Sequence, residues 1–364
     1  MRAFLEINLK AIANNIRAVK EKTSAEILAV VKADAYGHGL IPIAKCAIDS
    51  GASWLGVALL EEALTLRESG IKAPIIAWLT PPNSDFTAAI TADIDLSIPS
   101  LKHLEVIVAA GKALGKKPRV HIEVDTGMTR GGLLGEWQEF LSAVKGAGVE
   151  VIGLWSHFAR ADEPGEISNE RQLFEFENRL AELRSVGIHP KYLHIANSAA
   201  MLNNPESHKN IVRLGIAMYG LSPDIKTMGG SDSLDLEPAM TLKAEIHLIK
   251  RVNSGTSVGY GAIETTNRDT KLAIIMMGYS DGIPRNTSNK AGVFVAGSRA
   301  PIIGRVSMDQ FVVDIGPDSE AQPGDIVEVF GALGYSIDEW ATAAGTINYE
   351  IVTRIAARVS RIYL

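Results

Sequence analysis

Short apolar runs recur along the first two thirds of this chain, and their number and spacing limit the folds that it can adopt. Eight runs alternate with helix-like segments over roughly 220 residues, which favours a closed parallel (β/α)8 barrel of the TIM type, although an open doubly wound sheet gives much the same local pattern. No Gly-x-Gly-x-x-Gly follows the first run, which weakens the alternative of a dinucleotide-binding sheet. The runs span residues 27–31, 54–59, 74–79, 93–98, 120–124, 151–155, 192–195 and 212–218.

The composition and pattern of the sequence change after Gly220. Residues 222–236 form a polar passage that contains Gly and Asp, which is typical of a linker. Beyond it strand-like runs dominate, with one clear helix signal over 337–344, where Ser336 can cap the amino end. We therefore predict an α/β protein with a barrel domain over residues 1–230 and a mostly β domain over residues 231–364.

Composition excludes several classes of function. The 36 Lys and Arg residues are outnumbered by 42 Asp and Glu, and no basic block interleaved with aromatics occurs, so we expect no nucleic-acid partner. The sequence has no apolar run of about 18 residues, and charges near its first residues argue against a signal peptide, so we expect a cytoplasmic protein that does not enter a membrane. Cys46 is the single cysteine, which excludes an internal disulfide and a Cys-rich metal site, and we expect no metal.

Lys32 stands at the end of the first apolar run, directly before the loop-like segment Tyr36-Gly37-His38-Gly39. In parallel α/β folds the carboxyl ends of the strands are where ligands bind. An amine that is partly removed from water there has a lowered pKa and is suited to imine chemistry with a carbonyl group. The alternative is a strand-end lysine that extends to solvent.

Other chemically active residues follow later runs of the predicted barrel. The fifth run leads to Arg130, the sixth to His157 and the seventh to Ser198, while Arg213 lies within the eighth beside Gly215. A lysine, cations, a hydroxyl and glycine amides on one rim could hold a phosphorylated aldehyde cofactor. The alternative is the ordinary polar rim that any barrel has.

At this level of detail the chain resembles the alanine racemase family. The resemblance rests on nine segments that occur in the family's order along both predicted domains, and agreement of all nine by accident is negligible. They are Val-Val-Lys-Ala-Asp-Ala-Tyr-Gly-His-Gly (30–39), Asp-Thr-Gly-Met ending in Arg (125–130), Ser-His-Phe-Ala-Arg-Ala-Asp (156–162), His-Ile-Ala-Asn-Ser (194–198), Arg-Leu-Gly-Ile-Ala-Met-Tyr-Gly (213–220), Gly-Tyr-Gly (259–261), Gly-Tyr-Ser-Asp-Gly (278–282), Gly-Arg-Val-Ser-Met-Asp-Gln (304–310) and Asn-Tyr-Glu (348–350).

The resemblance implies a pyridoxal 5'-phosphate enzyme that moves a proton between the two faces of an amino acid. Lys32 would hold the cofactor and then act as the base on one face. Tyr260, supplied by the second domain of the partner subunit in a homodimer, would act on the other face. His157 would lie close to that tyrosine and connect it to Arg213.

The resemblance also implies which residues bind the cofactor and the substrate. Arg213 would donate a hydrogen bond to the pyridine nitrogen and leave it unprotonated, because guanidinium does not release its proton at working pH. Arg130 and the backbone at Met308 would bind the substrate carboxylate. The groups around the cofactor phosphate would be Tyr36, Ser198, Tyr349 and the amides of Gly215 and Ile216.

The implied activity is interconversion of L-alanine and D-alanine, which supplies D-alanine for peptidoglycan. Two alternatives stay open: a racemase of broader specificity, for example toward serine, and a non-catalytic carrier of the cofactor. Glu123 departs from the family's common pattern, in which a lysine carries a carbamate beside the substrate-binding arginine. A glutamate there supplies a negative charge without modification.

Overall fold

The computed structural model describes residues 1–364, except for the side chain of Ser288. The chain divides into two compact units. We call Ala11–Ala35 together with Leu40–Glu237 the barrel unit, and Met1–Lys10, Tyr36–Gly39 and Pro238–Leu364 the β unit. The β unit therefore includes two short segments from the first 40 residues as well as the last part of the chain, so no single boundary along the sequence separates the two units.

The barrel unit contains one parallel sheet of eight strands in the order β8-β7-β6-β5-β4-β3-β2-β9. The backbone N–H of Arg213, in the strand Ile211–Leu214, donates to the carbonyl of Ala196 at 3.0 Å. This bond brings the two ends of the sheet together, because Ala196 follows the strand Tyr192–His194. The sheet is a nearly closed barrel, and the predicted (β/α)8 fold is confirmed. The first nine strands of the chain are β1 (Ala3–Ile7), β2 (Glu26–Val30), β3 (Trp54–Val57), β4 (Ile75–Ala77), β5 (Asp95–Ile98), β6 (Arg119–Glu123), β7 (Glu150–Trp155), β8 (Tyr192–His194) and β9 (Ile211–Leu214).

Amphipathic helices follow the strands of the barrel. The helix Leu101–Leu114 starts where the Ser100 side chain accepts the His103 N–H and ends at Gly115, whose φ of 62° favours glycine. The helix Ile167–Ser185 buries Phe176, Leu180 and Leu183 on one face, as the spacing predicts. The remaining helices of this part of the chain are Leu9–Glu21, Leu40–Asp49, Leu60–Glu68, Phe86–Thr91, Trp137–Val144 and Ser198–Asn203.

The β unit is built around one long, bent strand, Met240–Val252. Its first half alternates buried and partly exposed residues and pairs antiparallel with β1, whereas its second half pairs with Thr270–Ile275 after an irregularity between Ile246 and Leu248. This strand belongs to a sheet of eight strands, so the predicted mostly β architecture is confirmed. The strands after β9 are β10 (Met240–Val252), β11 (Ser257–Val258), β12 (Glu264–Thr265), β13 (Thr270–Ile275), β14 (Gly292–Val295), β15 (Ser298–Pro301), β16 (Phe311–Asp314), β17 (Ile326–Phe330) and β18 (Ser360–Tyr363).

Two short helices complete the β unit. Ile337–Ala344 begins at Ser336, which forms a capping box with Glu339, and it ends at Gly345 in the left-handed conformation. Asn348–Thr353 follows directly. No helix in the described part of the chain is long and apolar enough to cross a membrane.

Candidate active site

Lys32 follows β2 and begins a turn with an unusual backbone. Ala33, Asp34, Ala35 and Tyr36 all have φ between 52° and 54°, the left-handed region that L-residues other than glycine avoid. Each such residue costs about 1–2 kcal/mol, so the turn needs support from its surroundings.

Three hydrogen bonds within the barrel unit support this turn. The Ala33 N–H donates to the Glu62 carboxylate at 2.6 Å, the Leu40 N–H to the Asp34 carboxylate at 2.8 Å, and the Ala35 N–H to the Val31 carbonyl at 2.9 Å. The other carboxylate oxygen of Glu62 accepts the N–H groups of residues 58 and 59 at 3.0 Å each. Glu62 thereby ties the lysine's turn to the loop after β3, a role that its sequence position did not reveal.

Arg213 lies on β9 and is almost fully buried, with 3% of its surface exposed. Its guanidinium donates to the carbonyls of Ser156 at 2.8 Å, His194 at 2.8 Å and Ile195 at 3.1 Å. It also packs over the ring of Trp155 at 5.3 Å. Burial lowers the pKa of Arg213 to about 9, with Glu123 opposing this shift and Arg130 adding to it, so the side chain remains a cation at neutral pH.

His157 receives a hydrogen bond from Arg213, whose Nη2 lies 3.0 Å from His157 Nδ1. Guanidinium has no acceptor, so Nδ1 must carry the lone pair and the proton of the neutral ring must be on Nε2. Burial, together with the charges of Arg213, Arg130 and Lys32, places the pKa of His157 well below its usual value. The structure therefore joins two of the predicted site residues and makes the histidine a neutral donor.

Charges on the same rim act on Lys32. Burial lowers the pKa of its amine, the positive charges of Arg130 and Arg213 lower it further, and Glu62 opposes them. Glu123 is the acid among these cations: burial raises its pKa to about 7, against the lowering effect of Arg130 and Arg213. A lysine that gives up its proton more readily than usual is the state that imine chemistry needs.

The loop that carries Arg130 is held by one carboxylate. Asp125 Oδ1 accepts the backbone N–H groups of Gly127, Met128 and Thr129 at 2.9, 3.0 and 3.1 Å. Thr129, with a φ of 57°, then directs the chain into Arg130. These bonds give a physical reason for an aspartate five residues before the arginine.

A buried glutamine joins this loop to the loop that carries His157. Gln172 on the helix Ile167–Ser185 donates to the His157 carbonyl at 2.9 Å and to Thr126 Oγ1 at 3.2 Å, and it accepts the Ala159 N–H at 2.9 Å. Sequence reasoning did not identify Gln172. The available signal was a polar residue next to the apolar face of a helix.

Ser198, Gly215 and Ile216 lie together at the ends of β8 and β9. Ser198 Oγ accepts the Gly215 N–H at 2.9 Å, and Ile216 begins a short 3-10 turn, Ile216–Tyr219. Tyr219 donates its hydroxyl proton to the Val30 carbonyl at 2.8 Å, so this turn is bound to the strand that ends just before Lys32. The hydroxyl and the backbone amides form a donor-rich loop suited to an anion.

Four of the predicted residues belong to the β unit. Tyr36 and Tyr349 pack with ring centroids 6.2 Å apart, and burial raises the pKa of Tyr36. Tyr260 lies in the 3-10 turn Tyr260–Ala262 and is 68% exposed, while Met308 is 54% exposed. The Met308 carbonyl accepts the backbone N–H of Ser280 at 3.0 Å and its hydroxyl at 2.7 Å, which sets the conformation of that loop.

The donor set on the barrel rim fits a phosphorylated aldehyde. It offers an amine with a lowered pKa, a charged donor at Arg213 and the hydroxyl of Ser198, whose oxygen accepts the Gly215 N–H. Lys32, Arg130 and Arg213 bring three cations to this rim, which suits anionic groups on a cofactor and a substrate.

Comparison with known proteins identifies the family. Residues 7–223 match the family model of the alanine racemase N-terminal domain, and residues 239–363 match that of its C-terminal domain. The chain is 46% identical to the alanine racemase of Salinispora tropica over 100% of its own length and 98% of the relative, and equally identical to that of Thermobifida fusca over 100% and 99%.

Solved structures agree with these matches. The crystal structure of alanine racemase from the D-cycloserine producer Streptomyces lavendulae superposes with a TM-score of 0.98 at 44% identity and covers 100% of this chain and 97% of that chain. The Bacillus anthracis alanine racemase with bound L-Ala-P has a TM-score of 0.91 at 38% identity, over 100% and 95% of the two chains. The sequence resemblance is thus confirmed over both halves, and the chain belongs to the alanine racemase family.

Proposed function

We propose that this chain interconverts L-alanine and D-alanine with pyridoxal 5'-phosphate, using Lys32 on one face of the substrate and Tyr260 of the partner subunit on the other. The observation that carries the proposal is the rim cluster of Lys32, Arg213 and His157, in which the amine has a lowered pKa and the histidine is neutral. The D-alanine formed would supply peptidoglycan synthesis.

When bound, pyridoxal 5'-phosphate supplies an electron sink that acidifies the α-hydrogen of an amino acid joined to it through the amine. Lys32 would hold the cofactor covalently through Nζ and, once released by the substrate amine, would accept or donate the α-proton at that atom. Its lowered pKa makes the unprotonated, basic form more accessible near neutral pH.

Arg213 would tune the strength of that sink. Its guanidinium can only donate, so it would give a hydrogen bond to the pyridine nitrogen without giving it a proton. Less negative charge then spreads into the ring, which favours return of the proton to the α-carbon over transamination. The five hydrogen bonds that hold the guanidinium support a fixed orientation for this role.

Anionic groups would be bound at two places. The cofactor phosphate would be surrounded by Tyr36, Ser198, Tyr349 and the amides of Gly215 and Ile216. The substrate carboxylate would be bound by Arg130 and the backbone at Met308. The loop bonds from Asp125 support a defined position for Arg130, and Glu123 would balance charge beside it without modification.

Racemisation needs a second base, because Lys32 reaches one face only. Tyr260 of the partner subunit would accept or donate the proton at Oη on the opposite face. Exposure of Tyr260 in its own chain supports this role, as does the exposure of other large apolar residues of the β unit, since exposed apolar groups of this size are typical of an interface. They are Ile263, Tyr279, Met308 and Ile347. A homodimer would therefore share both sites, and each site would combine Lys32 and the barrel rim of one subunit with Tyr260 and Met308 of the partner subunit.

Hybrid dimers test the shared site directly. Lys32→Ala and Tyr260→Phe variants, each inactive alone, are mixed, dissociated and reassociated, and racemisation of L-alanine is measured. Half of the random dimers are hybrids with one of two sites intact, so we expect about a quarter of the wild-type activity. The matched control mixes Lys32→Ala with Arg130→Ala, which lie in the same unit and should not complement. Hybrid dimers that form without activity would contradict a shared site.

A further inference from the structure

Two buried histidines connect Arg213 to a carboxylate at the other end of the barrel strands. Arg213 Nη1 lies 3.3 Å from His194 Nδ1, and His194 Nε2 lies 2.9 Å from His121 Nδ1. His121 Nε2 faces Asp95 Oδ2 at 3.8 Å, and Asp95 Oδ1 pairs with Arg119 Nε at 2.6 Å. His194, His121 and Asp95 are fully buried, and Arg119 is partly exposed.

The positions of the protons along this series of side chains follow from Arg213, its first member. Guanidinium can only donate, so His194 Nδ1 must accept and its proton must be on Nε2. That proton is donated to His121 Nδ1, so the proton of His121 must also be on Nε2, where it faces the Asp95 carboxylate. Burial, with the neighbouring His121 and Arg213, places the pKa of His194 well below its usual value, which keeps this ring neutral.

At the far end of this series of side chains, His121 Nε2 and Asp95 Oδ2 are separated by a gap that a small movement can close. Within the described part of the chain, His121 Nε2 and Asp95 Oδ2 are buried atoms without a hydrogen-bond partner, and they face each other. A shift of under about 1 Å would bring them to hydrogen-bond distance. A carboxylate in this position favours the Nε2–H form of His121, and through it the Nε2–H form of His194.

Neighbouring residues leave room for this arrangement and support it. A Cβ on Gly153 would lie 1.9 Å from His121 Nδ1, so strand β7 needs glycine where the ring passes. The ring of Tyr192 stacks on His121 with centroids 6.4 Å apart, and Trp155 stacks on His194 at 6.0 Å. The histidines are therefore packed in place as well as hydrogen-bonded.

We propose that His121 and Asp95 are positioning residues for the reaction and that they act on Arg213 through His194. They have no other role in the proposed mechanism. The carboxylate polarises the Nε2–H of His121 and, through it, the Nε2–H of His194, and this makes His194 Nδ1 a stronger acceptor for the Arg213 N–H. One edge of the guanidinium is thereby held in place. The inference rests on the proposed role of Arg213 toward the cofactor ring.

The first test reads the proton order without using activity. Long-range 1H–15N spectra of the full-length, 15N-histidine-labelled protein report which ring nitrogen of each histidine is protonated, and single His→Asn variants assign the signals. We expect Nε2–H for both His121 and His194 between pH 6 and 8. In Asp95→Asn, which keeps the size of the side chain, both rings should keep the Nε2–H form, because Arg213 fixes it, but the His121 Nε2–H signal should shift because the group that faces it has lost its charge. Nδ1–H on His194 in the unaltered protein would overturn the relay.

The second test measures racemisation of L-alanine by the cofactor-loaded protein. Asp95→Asn and His121→Asn should lower kcat roughly tenfold and leave KM for alanine within about twofold, because Arg130 is not part of the relay. The control is His208→Asn, which removes a buried histidine bonded to Thr23 and Met201 rather than to Arg213, and it should keep the wild-type kcat.

Failure of the relay and failure of the proposed function give different results. The positioning role would be overturned if the Asp95→Asn variant kept the wild-type kcat although its histidine signals had changed. A kcat loss of equal size in His208→Asn would also overturn it, because the loss would then reflect general damage to the unit. A wild-type protein that does not racemise alanine would contradict the proposed function, while the spectra would still test the proton order.

Discussion

The rim of the barrel unit and the Asp281 site of the β unit treat buried charge in opposite ways. In the barrel, burial moves pKa values against the charged form: it lowers those of Lys32 and Arg213 and raises that of Glu123. In the β unit, burial also opposes the charge of Asp281. Hydrogen bonds from the side chains of Arg2 and Arg358 nevertheless lower its pKa.

The reason for the difference lies in the partners. Asp281 pairs with Arg2 at 2.6 Å and with Arg358 at 2.6 Å, and it also accepts the Gly278 N–H at 2.9 Å. The barrel rim instead collects three cations that form no ion pair with a carboxylate in the described part of the chain, and the five hydrogen bonds of Arg213 all go to neutral acceptors. A fully partnered charge stabilises the fold, whereas a partly partnered one is available for binding and proton transfer. The Asp281 site thus contributes mainly to stability, whereas the charges of the rim remain available for chemistry.

Arg213→Lys should produce the largest loss of stability. A lysine cannot reach all the acceptors that the guanidinium serves, and it would leave buried carbonyls and His157 Nδ1 without a donor. We expect the free energy of unfolding in urea to fall by about 3–5 kcal/mol, with loss of racemisation. Arg119→Lys, at a partly exposed position of the same barrel, should cost less than about 1 kcal/mol. Equal losses for the two variants would contradict the contrast.

Asp281→Asn should have the next largest effect, in the β unit. The change removes the charge that Arg2 and Arg358 share and should lower the free energy of unfolding by about 2–3 kcal/mol. Because the pKa of Asp281 is lowered, its contribution is present above pH 3.8 and is lost as the pH falls below that value. The control Asp309→Asn affects an exposed carboxylate that also pairs with Arg358, and it should change stability less than Asp281→Asn does. A smaller loss for Asp281 than for Asp309 would remove the distinction between them.

Glu123→Gln should reveal the opposite pH dependence in the barrel. The folded protein binds the Glu123 proton more tightly than the unfolded chain between pH 4.5 and about 7, so stability falls as the pH rises through that window. Glutamine removes this slope. We expect the free energy of unfolding of the variant, relative to that of the wild type, to be roughly 1–2 kcal/mol higher at pH 8 than at pH 5. Urea unfolding at both pH values measures the difference. A gain for the variant at pH 5 rather than at pH 8 would reverse the sign we infer.

Ala33→Gly should give the smallest effect and sharpen the picture of the lysine turn. Glycine adopts the left-handed conformation without the steric cost that alanine has there, so the variant should be more stable by up to about 1 kcal/mol. Ala109→Gly, in the exposed middle of the helix Leu101–Leu114, should be less stable by a similar amount. Thermal unfolding of both variants measures the opposite signs, and destabilisation by Ala33→Gly would show that the turn is not strained.

Sequence reasoning could predict a shared rim for several residues because parallel strands align their carboxyl ends. Lys32, His157 and Ser198 follow three different apolar runs, and that alone predicts one shared rim. It could not find His121, because this ring meets His194 across 73 residues of sequence through the strand order β6-β7-β8. Nor could it assign the first strand to the β unit, since β1 pairs with Met240–Val252 near the other end of the chain.

By itself the sequence determined the alternation of strands and helices, the position of Lys32 after the end of a strand and the resemblance that relates both halves to one family. These features depend on local periodicity and on motifs, which are written in consecutive residues. Only the tertiary structure decided which buried charges have partners, that the turn after Lys32 is left-handed, and that Glu62, Gln172 and the two core histidines support the site. Such properties depend on groups far apart in the chain that meet through sheet order and burial, which no local pattern encodes.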